Sequence, residues 1–140
     1  MNVIRWICLL VFVLALTLPA GTLSAHHGTA ISYDVAHPPL TLKGTVAEFR
    51  WQNPHVILLL DVKDAAGKVT RWAIEGNSIL NWTRRGYNRL TVKPGWEITA
   101  VVYPSKVPNT PVAVVAHVTL PDGKEALRYQ QDTPGGRAID

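Results

Sequence analysis

The stretch at residues 69–86 reads VTRWAIEGNSILNWTRRG and changes halfway from the spacing of a strand to that of a helix. Its first half carries Trp72 and Ile74 two positions apart, as on one face of a strand. Its second half changes to apolar residues three positions apart, which is the spacing of a helix. The sequence therefore predicts a strand that is followed almost at once by a short helix of residues 78–85.

Both ends of this helix carry sequence signals. Asn77 precedes it and has a side chain of the kind that caps helix N-termini. Gly86 follows it and readily takes the left-handed conformation that ends a helix. Ile79 and Trp82 share the face of the helix that we expect to be buried, so we interpret Trp82 as a core residue.

Two strands precede this stretch. The first begins near Leu40, and its alternation slips by one residue, so we predict a bulge or sharp bend between Gly44 and Glu48. The second covers residues 55–62 and is largely apolar on both faces. A hairpin loop at residues 64–68 connects it to the strand that leads into the helix.

Two further strands follow the helix. Residues 96–102 form the fourth strand, and a proline-rich loop at residues 104–111 separates it from the fifth. The fifth strand is predicted from apolar residues at every second position, namely Val112, Val114, Ala116, Val118 and Leu120.

The order of three strands, a short helix and two strands predicts a mainly β fold. It matches a small five-stranded OB-like Greek-key barrel, the oligonucleotide/oligosaccharide-binding type, with one short helix between strands three and four. The bend in a long first strand also favours this barrel. An open α+β roll is the competing architecture.

The first 25 residues have the layout of a secretory signal peptide. Arg5 supplies an early positive charge, an apolar run follows, and Ala25 is a small residue at the expected cleavage site. The apolar run has about 15 residues, fewer than the roughly 20 that span a bilayer as a helix. We therefore predict a bacterial protein that is periplasmic or secreted, with no stable membrane span after cleavage.

The rest of the chain divides into three parts. Residues 26–39 are polar and broken by proline, which predicts an extended N-terminal arm. Residues 40–129 form the OB-like barrel domain, and residues 130–140 form a tail that we expect to be disordered. The only cysteine, Cys8, lies in the signal peptide, so the mature chain forms no disulfide.

The net charge is that of an ordinary soluble domain and does not indicate a nucleic-acid partner. The chain has 14 Lys and Arg against 10 Asp and Glu, and loss of Arg5 with the signal peptide lowers its charge from +4 to +3. This excess is mild, and export removes the usual nucleic-acid partners. We therefore expect no nucleic-acid binding.

Cleavage after Ala25 would give the mature chain a metal-chelating start. His26 would then carry a free amine beside its imidazole, and His27 would add a second imidazole. Nitrogen ligands of this kind suit a tetragonal copper(II) site. His55 follows a rigid Asn-Pro corner and is our candidate for the third imidazole, with Asp34 or Glu75 as an added oxygen donor. The alternative is that the histidines are solvated and bind copper only adventitiously.

The aromatic residues offer a second kind of site. Trp51 and Trp72 lie on the first three strands, where OB-like barrels place their ligand face. Together with Asn53 and Glu75, they are candidates for binding a small ligand or an envelope-protein partner by stacking. The alternative is that both tryptophans fill the barrel.

Enzyme motifs are missing from the sequence. It has no nucleophile elbow, no phosphate loop and no zinc-protease helix. No catalytic residue is assigned, and binding is favoured over catalysis. A copper-dependent redox enzyme is the third hypothesis, and it depends on the same histidines.

Several motifs together resemble a family of small exported bacterial proteins of unknown function. They are Ala25-His26-His27, Tyr33-Asp34, Leu42-x-Gly44-x-Val46, Trp51-x-Asn53-Pro54-His55, Trp72-x-x-Glu75, Arg85-Gly86 and Lys93-Pro94-Gly95. The start and the Trp-x-Asn-Pro-His block are the most specific of them. The usual serine and aromatic residue after His-His are replaced here by Gly28 and Thr29. The resemblance implies a periplasmic location and an OB-like barrel, and it implies no activity.

Overall fold

The computed structural model describes Val3, Trp6 and residues 29–129. The predicted signal peptide, the two histidines that follow it and the predicted disordered tail therefore lie outside the described residues, apart from Val3 and Trp6. In the part of the chain that is described, no helix is both long and apolar enough to cross a membrane.

Residues 29–129 fold into short helices and strands. In chain order these are α1 (Thr29–Ser32), β1 (Leu40–Arg50), β2 (Ile57–Lys63), β3 (Val69–Glu75), α2 (Ile79–Arg84), β4 (Glu97–Pro104), β5 (Val112–Thr119) and β6 (Glu125–Ala126). Five strands and the helix between the third and fourth follow the predicted order, whereas a helical turn in the arm predicted to be extended and a two-residue last strand were not predicted. The third strand covers residues 69–75, the first part of the stretch that predicts it.

The first five strands close into a barrel. β1 pairs antiparallel with β2 and β4, β2 pairs with β3, and β4 pairs with β5. A parallel pairing of β3 with β5 joins the two edges of the sheet. This confirms the mainly β fold and the five-stranded OB-like Greek-key barrel with α2 between β3 and β4. The open roll is excluded, since its sheet would leave β3 and β5 apart. The two-residue β6 extends the sheet beside β5.

The irregularity predicted in β1 is confirmed. The register between β1 and β2 shifts between Val46 and Glu48. Leu42 and Val46 are buried in the barrel, whereas Glu48 is exposed and pairs with Arg50. Strict alternation would have buried the charged side chain of Glu48, and the bulge turns it outward.

The alternation predicted for β5 is wrong in its first half. Ala113 and Val115 are in the core, and the register with β4 shifts between Val101 and Val102, so Ala116 is an extra residue. After this bulge Val118 returns to the core.

The helix α2 is capped by a different residue from the one predicted. Ser78 is the N-cap, and its hydroxyl accepts a hydrogen bond from the Asn81 backbone N–H at 3.3 Å. The Asn77 side chain accepts from the Ser78 N–H instead, at 2.8 Å. Gly86 has a φ of 84°, which confirms the left-handed end of the helix. Trp82 projects from α2 into the core and is 1% exposed, as predicted.

Candidate functional site

The carboxylate of Glu75 is the centre of the candidate site. Its Oε2 accepts a hydrogen bond from the hydroxyl of Tyr33 at 2.5 Å, and its Oε1 contacts Nδ1 of His55. Three residues from distant parts of the chain, the arm, the β1–β2 connection and the end of β3, therefore meet at one carboxylate. We call this set the Tyr-Glu-His triad.

The pairing of β2 with β3 brings His55 to Glu75. In the register of these strands Ile57 lies opposite Glu75, and the pairing continues past the end of β3. The Val56 N–H donates to the Asn77 carbonyl at 3.1 Å, and the Gly76 N–H donates to the Val56 carbonyl at 2.8 Å. His55 therefore leaves the backbone beside the last residue of β3.

The described part of the N-terminal arm brings Tyr33 across the barrel wall. Tyr33 forms a β-bridge with Ser105, just after β4, and the Asp34 N–H donates to the Pro104 carbonyl at 2.9 Å. Because β5 lies between β4 and β3, the Tyr33 side chain must pass over β5 to reach Glu75. Val114 on β5 pairs with Glu75 and is 2% exposed, although its neighbours along the strand are the inward residues. We infer that the arm covers it.

The environment of Tyr33 keeps its hydroxyl protonated. Burial raises the pKa of the Tyr33 phenol well above its ordinary value, and the hydrogen bond to Glu75 and the charges of Glu75 and Tyr129 raise it further. A protonated phenol is a permanent donor to the carboxylate. Tyr33 therefore fixes the position of Glu75 at any physiological pH.

A second tyrosine holds the start of the described arm. The hydroxyls of Tyr129 and Thr29 lie 3.0 Å apart, and the Tyr129 N–H donates to the Ala116 carbonyl at 2.8 Å. The Lys106 ammonium also donates to the Ala30 carbonyl at 2.6 Å. The point at which the chain enters the described region is therefore attached to the barrel beside the triad.

The contact with Glu75 decides which nitrogen of His55 is available. A carboxylate accepts hydrogen bonds, so it favours the tautomer of His55 with its proton on Nδ1. The unshared pair is then on Nε2, and the side chain is 51% exposed. Histidines that bind metals commonly have this arrangement, in which a carboxylate orients the ring and the other nitrogen is the ligand.

The structure brings together two of the predicted site residues, His55 and Glu75. Asp34, the other predicted oxygen donor, instead contacts His37, with 2.8 Å between its carboxylate and Nδ1. Asn53 is exposed in the β1–β2 connection, after which the Asn53–Pro54 peptide is cis. Among the residues that are described, no group of three or more His, Cys, Asp or Glu side chains is arranged to hold a metal.

The two predicted tryptophans have different surroundings. Trp51 stacks on Trp82, with ring centroids 6.2 Å apart and planes 25° from parallel, and lies 5.8 Å from Phe49. It therefore belongs to an aromatic cluster above α2. Like Trp51, Trp72 packs against the barrel core. It also lines a groove of about 430 Å³ between the first half of β3 and the loop that follows β4. We call this the Trp72 groove; its lining comprises Lys68, Thr70, Trp72, Pro104, Ser105, Val107, Pro108, Asn109, Thr110 and Pro111.

Sequence reasoning did not assign Tyr33 and Tyr129 to the site. Tyr33 is 42 residues from Glu75, and Thr29 is 100 residues from Tyr129, so no local spacing links them. Two signals pointed to Tyr33: it is an aromatic residue inside an otherwise polar arm, and it belongs to the Tyr33-Asp34 motif of the resemblance.

Comparison with known proteins matches the chain to one family. The profile of DUF6152, described as a family of unknown function, matches residues 14–112, which include all three members of the triad. This is consistent with the resemblance seen in the sequence. No curated protein and no solved structure matches the chain.

Proposed function

Since the chain belongs to the DUF6152 family of unknown function, we propose its role from the site itself: it is an exported, periplasmic module that binds copper(II) through His26, His27 and His55. The observation that carries this proposal is the orientation of His55. Its Nδ1 faces the Glu75 carboxylate, and its Nε2 is left for a ligand. Glu75 acts as a positioning residue, because both of its oxygens already have partners.

The remaining ligands come from the start of the mature chain. Cleavage after Ala25 supplies the amine and imidazole of His26 and the imidazole of His27. Only Gly28 separates His27 from Thr29 in the sequence. Thr29 is held at Tyr129, beside the triad. Imidazole and amine nitrogens are ligands that copper(II) accepts in tetragonal geometry.

Copper titration of the exported, naturally cleaved protein tests this proposal. We expect one copper(II) per chain, an electron paramagnetic resonance spectrum with nitrogen ligands, and binding at least tenfold weaker in His55→Ala. At a free copper concentration 100 times Kd, the free energy of unfolding should rise by about 2.7 kcal/mol.

His37→Ala is the matched control. His37 is also an exposed histidine whose Nδ1 contacts a carboxylate, that of Asp34, and its variant should bind copper as the unaltered protein does. Equal affinities in the His37 and His55 variants would mean that the terminus alone captures the ion, and the proposal would fail. A form that retains Ala25 should give a different electron paramagnetic resonance spectrum, since its amine is no longer on a histidine.

The Trp72 groove supports a second candidate function, the binding of a small ligand without a metal. Its volume of about 430 Å³ lies in the range of small-molecule sites, roughly 300–1,000 Å³. Trp72 offers an aromatic face, and Lys68 offers a positive charge beside it. We infer a planar anionic ligand from this combination of an aromatic face and a cation.

Fluorescence of the planar sulfonate dye ANS with the native protein tests the groove. We expect binding that Trp72→Ala weakens and Trp72→Phe largely retains, since phenylalanine keeps an aromatic face. Val69→Ala, a change to an exposed residue of the same strand, is the control. If Trp72→Ala unfolds while Trp72→Phe binds fully, a third variant, Lys68→Gln, decides, and its unchanged affinity would exclude the groove.

A further inference from the structure

A concentrated positive charge lies in the segment that joins β3 to β4. Residues 76–96 contain four basic residues and no acidic residue. The whole chain has a net charge of +4, so this segment carries the equivalent of the entire excess. Its basic residues are Arg84, Arg85, Arg89 and Lys93. We call the segment the basic cap.

The barrel fixes the basic cap in place. Trp82 and Val92, each 1% exposed, anchor its two halves in the core. The Gly95 N–H donates to the Val46 carbonyl at 2.8 Å, which ties the end of the cap to β1. Because apolar residues from both halves point inward, the remaining side chains form the outer surface at this end of the molecule.

That outer surface combines cations with large apolar side chains. Arg84, Arg89 and Lys93 are exposed, and so are Leu80 and Leu90, at 59% and 67%. Leu80 and Arg84 are four residues apart on α2 and therefore share one face of the helix. Leu90 is presented by a turn in which the Thr91 N–H donates to the Asn88 carbonyl at 3.0 Å.

We propose that the basic cap binds the surface of a membrane that contains anionic phospholipids. Clusters of Lys and Arg are attracted to the phosphates of such a surface. Exposed leucines among them can enter the boundary between headgroups and acyl chains. A partner that offered only negative charge would leave the two leucines without a role, which is why we favour a lipid surface over an acidic protein.

Vesicle co-sedimentation tests the proposal. The mature protein in EDTA, and hence without copper, is mixed with vesicles of 30% phosphatidylglycerol in phosphatidylcholine, or of phosphatidylcholine alone. We expect sedimentation with the anionic vesicles only, reduced by high salt. Arg84→Gln with Arg89→Gln should weaken binding roughly thirtyfold, since each basic residue near an anionic surface contributes about fivefold.

The matched control is Lys43→Gln with Lys63→Gln, which removes the same charge from exposed residues of β1 and β2 outside the cap. This variant should bind within about threefold of the unaltered protein if the cap rather than net charge is responsible. Equal weakening of the two double variants would overturn the proposal.

Leu80→Ser with Leu90→Ser separates a lipid surface from an ionic partner. We expect this variant to sediment more weakly than the unaltered protein even at low salt, because apolar insertion is lost. Unchanged sedimentation, together with equally tight binding to polyglutamate, would show that the cap recognises negative charge alone. Circular dichroism of each variant confirms that the barrel is folded. None of these measurements depends on metal binding.

Discussion

At the scale of single residues, Glu75 joins three separate parts of the chain. It is the last residue of β3, it is half-buried, and its two oxygens are engaged by Tyr33 from the arm and His55 from the β1–β2 connection. One side chain therefore sets both the docking of the arm and the orientation of the imidazole.

The substitution Glu75→Gln tests this positioning role. The amide keeps one acceptor but replaces the other oxygen with a donor, so it no longer fixes the proton of His55 on Nδ1. Loss of such an orienting carboxylate typically lowers metal affinity about 10- to 100-fold, and we expect a loss of about that size for copper(II). Nitrogen NMR of the His55 ring should also show a shifted tautomer balance. Unchanged tautomer and affinity would remove Glu75 from the site.

Gly76 lies so close to the Trp82 ring that a larger residue does not fit there. A Cβ atom there would lie 2.0 Å from the Trp82 ring, so Gly76→Ala must displace a fully buried side chain. Such overpacking costs about 1–3 kcal/mol, and we expect the upper part of that range by urea denaturation. The near-ultraviolet signal of Trp82 should change with it.

Gly86→Ala is the control for Gly76→Ala. Gly86 has a φ of 84°, but within the described structure a methyl group there would have no atom within 4 Å beyond its chain neighbours. Alanine at this position is therefore strained only by its backbone. We expect a cost of about 1 kcal/mol without a change at Trp82. A perturbed Trp82 signal in Gly86→Ala, or none in Gly76→Ala, would contradict this account.

At the scale of elements, periodicity predicted the strands and α2, but two details depended on neighbours. Asn77 and Ser78 are both good capping residues, and the Asn77 carbonyl accepts from Val56, which makes residue 77 part of the strand pairing. Ser78 is then the first residue free to cap α2. In β5 almost every residue is apolar, so both alternation phases looked acceptable, and the bulge opposite Val101 and Val102 decided between them.

The pair of Asp61 on β2 and Arg71 on β3 gives a pH prediction. The two residues are opposite each other in register and form two hydrogen bonds, of 2.7 and 2.8 Å. The hydrogen bond and charge of Arg71 hold the pKa of the Asp61 carboxyl below its ordinary value. Its contribution to stability is therefore present above the ordinary carboxyl pKa and is lost as pH falls through the depressed value.

Urea denaturation across the acid range measures this contribution. Asp61→Asn should reduce the loss of unfolding free energy at low pH. The double variant Asp61→Asn with Arg71→Gln should show the same pH dependence of the unfolding free energy as each single variant. The Arg71 side chain is 60% exposed and that of Asp61 is 29% exposed, so we expect a small effect that high salt weakens. A full acid-dependent loss in Asp61→Asn would exclude the pair as its source.

At the scale of the whole molecule, the closed barrel has a single core. Residues from all five barrel strands and from α2 join one buried cluster, so we expect fluorescence and circular dichroism to report one coincident unfolding transition. Leu60→Ala, at a fully buried position, should lower the free energy of unfolding by about 2–5 kcal/mol.

Leu80→Ala makes the same substitution at an exposed position and is the matched control. Leu80 is 59% exposed, and surface changes of this kind usually alter stability by no more than about 0.5 kcal/mol. Similar losses in the two variants, or two separate transitions in either, would be inconsistent with one closed core.

Periodicity and turn residues within short windows were enough to predict the succession of strands and helix, the irregularity in β1 and the burial of Trp82. His55 and Glu75 were likewise recognised as candidates from residue type. Only the tertiary structure decided that they touch and that Tyr33 joins them. Closing the barrel brings residues separated by 42 positions along the chain to one carboxylate, and no local pattern encodes such a distance.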